Sequence, residues 1–223
     1  AYSGWEMFGG LASISQGQGI NILLNLFFGP MVNAARAVAY QIQTAVNHFV
    51  INFLMATRPQ VIKSFAEHNY ERMYSLTFKS ARYSFFLMLA LILPICFELR
   101  FILNLWLGKA TPPDTYVFTL IILLLSLAEV FRASMIMAFH AIGKMKLGNS
   151  LNGTIMILSL PISYAILKMG APAYAVFIVL VIINITVMID AYFIVYSYVH
   201  FNIRELLVGA VLPCVLVGAC SVI

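Results

Sequence analysis

Apolar runs of about 20 residues recur along nearly the whole chain, each long enough to cross a bilayer as an α-helix. They lie at about 5–28, 33–56, 82–104, 115–139, 149–168 and 172–197, and another begins near 206 and reaches 223. Breakers fall between them: Gly29-Pro30, Thr111-Pro112-Pro113, Gly143 and Gly170-Ala171-Pro172. Pro94 and Pro161 sit inside runs, which a membrane helix tolerates when neighbours satisfy the freed carbonyls. Hydrophobic residues are 62% of the chain and charged residues only 9%. A soluble domain carries roughly a quarter charged residues. The expected fold is therefore all-α and integral to the membrane, a bundle of six to seven transmembrane helices.

The net charge of +5 is not read as a nucleic-acid footprint. The basic residues sit instead between the apolar runs. Loops 57–82, 140–148 and 197–205 hold Arg58, Lys63, Arg72, Lys79, Arg82, Lys144, Lys146 and Arg204. The alternate connections hold only Arg36, Arg100, Lys109 and Lys168. Basic residues collect on the cytoplasmic side, so the first set faces inward and the first span runs outward. Within residues 57–81, Ile62, Phe65, Ala66, Met73 and Leu76 recur at roughly helical spacing among charges. That pattern predicts a cytoplasmic interfacial loop or short helix drawn to anionic lipid. Cys96, Cys214 and Cys220 lie in apolar runs without metal-binding or disulfide spacing and read as small hydrophobes. No metal or cofactor is expected. The chain starts without Met and stops inside an apolar run, so it reads as a fragment of a longer protein.

Polar groups inside a membrane are expensive, which makes their placement informative. On the second span Asn33, Arg36, Tyr40, Gln41, Gln43, Thr44, Asn47, His48 and Asn52 fall within one half of the helical wheel. Such a face must turn toward protein or a water-filled cavity. The first span adds Gln18, Asn21 and Asn25 within about 60° of one another. With the Gly29-Pro30 turn between them, the two spans are expected to be antiparallel neighbours whose polar faces line one groove. Amides and hydroxyls suit sugar hydroxyls, and an arginine can hold a phosphate in a fork. A single amide is also ordinary glue between membrane helices; the whole stripe argues for a cavity. On the fourth span Glu129 and Arg132 share a face with Ser126 nearby, as a transport pathway, a coupling site or a locally neutralised pair. Asp190 and Glu6 lie near span ends, and His48 is either a proton-sensitive group or a structural one.

No GxxxxGK[ST] phosphate loop, HExxH, GxSxG elbow or productive carboxylate pair occurs, so enzymatic chemistry is not expected. Several short motifs instead resemble one family. They are Gly29-Pro30-Met31-Val32-Asn33-Ala34-Ala35-Arg36, then Ala39, Gln41, Ala45-Val46-Asn47 and Arg58-Pro59-Gln60. Further on come Pro94-Ile95 with Glu98, Ile102-Leu103 and Trp106-Leu107-Gly108, then Ala141-Ile142-Gly143-Lys144-Met145-Lys146, then Leu160-Pro161-Ile162-Ser163-Tyr164. In order and spacing these resemble the O-antigen and polysaccharide flippases of the multidrug, oligosaccharidyl-lipid and polysaccharide exporter superfamily, over roughly residues 1–200.

The resemblance implies one lobe of a two-lobe transporter, the C-terminal one, with the N-terminal lobe of the same protein absent from this chain. It implies translocation of undecaprenyl-diphosphate-linked oligosaccharide from the inner to the outer leaflet of the bacterial inner membrane, for O-antigen, capsule or exopolysaccharide synthesis. The sugar would cross in the polar cavity while the lipid tail stays in the bilayer, by rocking of the lobes. By that analogy Arg36 and Arg132 are expected to bind the diphosphate, Asn21, Asn25, Gln41, Gln43 and Asn47 the sugars, and Glu129 to couple transport to a cation. The expected partners are the lipid-linked oligosaccharide, membrane lipid and the missing lobe. The sequence departs from the family at Arg58, where a small polar residue is expected, and at Asp190, where relatives often carry a basic one. Two alternatives stand beside it: a cation-coupled multidrug exporter of the same superfamily, or a membrane-embedded glycosyl- or acyltransferase or polymerase of the same pathway.

Overall fold

The computed structural model describes residues 2–143 and 145–198, with Pro213, Cys214 and Val217. The seventh apolar run otherwise lies outside the described residues, as do Lys144 and Arg204. The described chain is helical: α1 (Tyr2–Phe28), α2 (Pro30–Ala66), α3 (Tyr70–Phe97), α4 (Leu99–Leu107), α5 (Thr115–Ile142), α6 (Met145–Lys168) and α7 (Ala175–Tyr198). A 3₁₀ turn, Gly108–Ala110, follows α4. Four of these helices are long and apolar enough to cross a membrane: α3, α5, Gly148–Lys168 of α6 and Ala175–Ser197 of α7. This is a helical membrane protein. The 27 residues of α1 and 37 of α2 also exceed a bilayer in length. Their amides and charges, rather than their length, separate them from the other four.

Two boundaries differ from the sequence expectation. Residues 57–81 do not form one interfacial helix. Instead α2 continues through Pro59 to Ala66, and α3 opens at Tyr70, making a helical hairpin. At 1.5 Å per residue α2 is about 55 Å long, more than a bilayer's thickness. The reversal is local chemistry. His68 takes a left-handed conformation at φ 55°. The Asn69 amide donates to the Ser64 carbonyl at 2.9 Å, and the Asn69 side chain accepts from the Arg72 amide at 3.0 Å. Val61 and Met73 of the hairpin are buried in one cluster with residues of α5, while Ile62 and Ala66 are exposed. Changing Asn69 to Ala removes the cap of α3 and is expected to cost about 1 kcal/mol, read as a lower midpoint in detergent-based unfolding.

The third run, expected to span 82–104, is broken at Glu98. Pro94 leaves one carbonyl without its donor in the last turn, and α3 ends three residues later, with the Glu98 amide on the Pro94 carbonyl at 3.1 Å. The remainder becomes α4, which buries Leu99 and Leu103 and exposes Phe101 and Leu105.

In the bundle, α5 is the central helix and packs against α2, α3 and α7, while α6 packs against α1 and α7. The long seam of α1 runs along α6, and its contact with α2 is smaller. Glycine explains the preference. Gly19 faces Leu160, Gly153 faces Phe8 and Ala12, and Gly9 faces Asn149, and a Cβ on Gly19 or Gly153 would stand only 2.5 or 2.6 Å from its neighbour. Missing Cβ atoms let the backbones approach, which drives association where lipid removes the hydrophobic drive. These contacts advance in step along both helices, so α1 and α6 run parallel. The α2 and α5 helices are parallel as well, since Gln43 meets Ser126 and Arg58 meets His140.

Candidate functional site

The polar residues of α2 divide into two sets. Arg36, Gln43 and Asn47 turn toward α1 and α5, and the first two are only 7% and 6% exposed. Gln41, Thr44, His48 and Asn52 are exposed on a stripe about 80° wide on the other side. The polar half-wheel is thus one buried seam and one open stripe.

At the outer part of the seam Arg36 donates to the Asn21 side-chain oxygen and, at 3.4 Å, to the Gly17 carbonyl. Its guanidinium also lies 4.5 Å from the centre of the Tyr40 ring. Its Nε is buried without a hydrogen-bond partner. Asn21 in turn donates to Gln18 at 3.2 Å. These bonds make α1 and α2 the neighbours that the sequence implies, although α6 is the closer companion of α1. Asn25 is exposed toward the outer end of α1.

Further along α2 the Gln43 amide donates to the Ser126 hydroxyl at 2.9 Å and to the Glu129 carboxylate at 3.4 Å. The Ser126 hydroxyl donates to the Ile122 carbonyl at 2.9 Å, so the buried hydroxyl is satisfied on both sides. Below this network a cleft of about 110 Å³ opens between α2 and α5. Asn47, Glu129 and Arg132 line it with Ser126, and Met88 of α3 joins them. The Arg132 Nε is buried and unpartnered. Glu129 and Arg132 share this cleft without an ion pair within 4 Å; among the described residues only Lys63 and Glu67 make one. Neither side chain is closed off by an ion pair among the described residues.

The two arginines expected to hold a diphosphate are not side by side. Arg36 stands seven residues from Gln43, and Arg132 six residues beyond Ser126 in the opposite direction along the axis. At 1.5 Å per residue they are roughly 20 Å apart, two separate stations rather than one fork. Asn21, Gln43, Asn47 and Glu129 belong to the seam with them. Asn25 and Gln41 face outward from it.

A further pair was not singled out by the sequence. Arg58 near the inner end of α2 lies 3.0 Å from the Nδ1 of His140 on α5. The two are 82 positions apart, and each alone looks like an ordinary cytoplasmic-end residue, so only the tertiary fold joins them. Among the described residues no group of three or more metal-ligating side chains comes together. Compared with models of protein families, with curated proteins and with solved structures, the chain matches none.

Proposed function

We propose that this protein translocates undecaprenyl-diphosphate-linked oligosaccharide across the bacterial inner membrane, from the inner to the outer leaflet. The observation that carries the reading is the polar organisation of α2. A helix in a membrane bundle bears a buried seam with Arg36, Gln43 and Asn47 and an open stripe of Gln41, Thr44, His48 and Asn52. An open stripe of amides at membrane depth needs water or a polar cargo against it. Amide and hydroxyl groups match the hydroxyls of a sugar chain, and the arginines match phosphate oxygens. Glu129, hydrogen-bonded to Gln43 and sharing a cleft with Arg132, would exchange a driving cation or proton. A second lobe facing the stripe would close the cavity and alternate its access. A multidrug exporter would want its carboxylate in an apolar cavity without a neighbouring cation, whereas Arg132 lines the same cleft as Glu129.

The test is complementation. Expressed from its complete gene, with the glycan-assembly genes of its own host, the protein should restore surface glycan to a bacterium whose polysaccharide flippase is deleted. Membrane-inserted protein that leaves the lipid-linked glycan in the inner leaflet would overturn the reading.

A further inference from the structure

The α2/α5 cleft has a second chamber at its inner end, of about 170 Å³, and its walls are chemically polarised. Leu54 and Met55 of α2 and Ile136 and Met137 of α5 are apolar, while Arg58 and His140 supply the polar groups. His140 is two residues from the end of α5, and the basic residues of the loop that follows put that end on the inner side. Ile51, Leu54 and Ala133 line both this chamber and the mid-membrane cleft of Glu129 and Arg132, so the two join.

The Arg58–His140 contact constrains protonation. Arginine can only donate, so the His140 Nδ1 accepts and the imidazole is neutral, with its proton on Nε2. Arg58 keeps further N–H donors and a fixed positive charge, and among the described residues no carboxylate lies within 4 Å of it. Glu6 on α1 acts on His140 only through space, and Lys146 on α6 points to the Trp5 ring, 5.7 Å from its centre. A half-buried guanidinium with no ion pair among the described residues, beside the imidazole of His140, can take an anion as a further ligand. At the inner boundary of a bilayer the abundant anion is a lipid phosphate.

We propose that this chamber binds the phosphate of a single-chain, polyprenyl-type lipid in the inner leaflet. Arg58 is the principal ligand, His140 the second donor, and the chain lies toward mid-membrane on Ile51, Met55 and Ile136. From Arg58 to Ile51 is seven residues, an apolar run of about 10 Å below the head. A cleft between two packed helices favours one chain over the two of a glycerophospholipid. The inference rests on the flippase reading and names where the substrate is first held.

The experiment measures binding of a polyprenyl diphosphate to the purified full-length protein in phosphatidylcholine nanodiscs, with phosphatidylglycerol as competitor. R58Q should weaken binding about tenfold and H140Q severalfold, as loss of charged and neutral hydrogen bonds implies. K63Q removes an exposed charge on the same membrane side and should change nothing. Ala133→Phe keeps the charges but fills the chamber, and should also abolish binding. R58K, which keeps the charge and loses the fork, serves where R58Q fails to fold, and should weaken binding less than H140Q-with-R58K combined. Equal losses for R58Q and K63Q, full binding by A133F, or equal competition by phosphatidylglycerol would each overturn the site. Translocation assayed in vesicles separates the two readings. Binding without any flipping keeps the site and removes the flippase, and flipping at an unchanged rate by R58Q does the reverse.

Discussion

Arg36→Ala lowers export of the lipid-linked glycan at least tenfold in the complemented strain, with the protein still present in the membrane. The expectation follows from how the guanidinium is held. It is 7% exposed, donates to Asn21 and to the Gly17 carbonyl, and stacks over Tyr40. A charge-assisted bond to a phosphate oxygen is worth about 1.5–3 kcal/mol, or one to two powers of ten in a rate that depends on it. Alanine also leaves the Asn21 oxygen without its donor, so part of any loss would be structural. Two controls separate the contributions. Asn21→Ala removes the same bond while keeping the charge, and R36K keeps charge without the planar fork. Export should fall in the order R36A, then R36K, then N21A, at matched abundance. Normal export by R36A would remove Arg36 from the transport path and leave it as a clamp between α1 and α2.

The second large effect is one of packing. Gly148→Val should destabilise the protein by about 2–3 kcal/mol, the upper range for forcing methyl groups into a filled core. A Cβ at position 148 would collide with the Phe139 ring. That ring is 1% exposed, belongs to the main buried cluster and touches His140 edge-on at 5.9 Å, so it has little room to move. The measurement is the midpoint of unfolding in mixed detergent micelles. Combining Gly148→Val with Phe139→Ala should recover part of the loss, because the ring and the new side chain compete for the same volume. Losses that simply add would mean that position 148 does not meet Phe139.

The α1–α6 seam shows how the same logic escapes a reading along the chain. Gly9, Gly19 and Gly153 are ordinary in a membrane sequence, where glycine is common. Their meaning as points of close approach depends on what faces each of them. The sequence puts α1 beside α2 because a short turn joins them. Packing puts the longer contact between α1 and α6, some 140 residues away, as the Gln16–Ser159 hydrogen bond at 3.0 Å reflects. The inner hairpin is a related case. The charged and apolar spacing of residues 57–81 is helical in either arrangement. Only the left-handed turn at His68 and the burial of Val61 and Met73 in the core shared with α5 turn one surface helix into two antiparallel ends.

The sequence by itself determined what solvent this chain folds in, its all-helical class and the polar half-wheel of α2. Those follow from the hydrocarbon thickness and from the 3.6-residue period, both of which act over a few turns of chain. The tertiary structure alone decided which members of that half-wheel are partners and which stay open. Gln43 meets Ser126 and Glu129, Arg36 meets Asn21, and Gln41 and Asn52 stay exposed. The physical reason is that a hydrogen bond between helices is chosen by interhelical packing and axial register. Those are set by small residues and side-chain shapes on other helices, and no local periodicity encodes them.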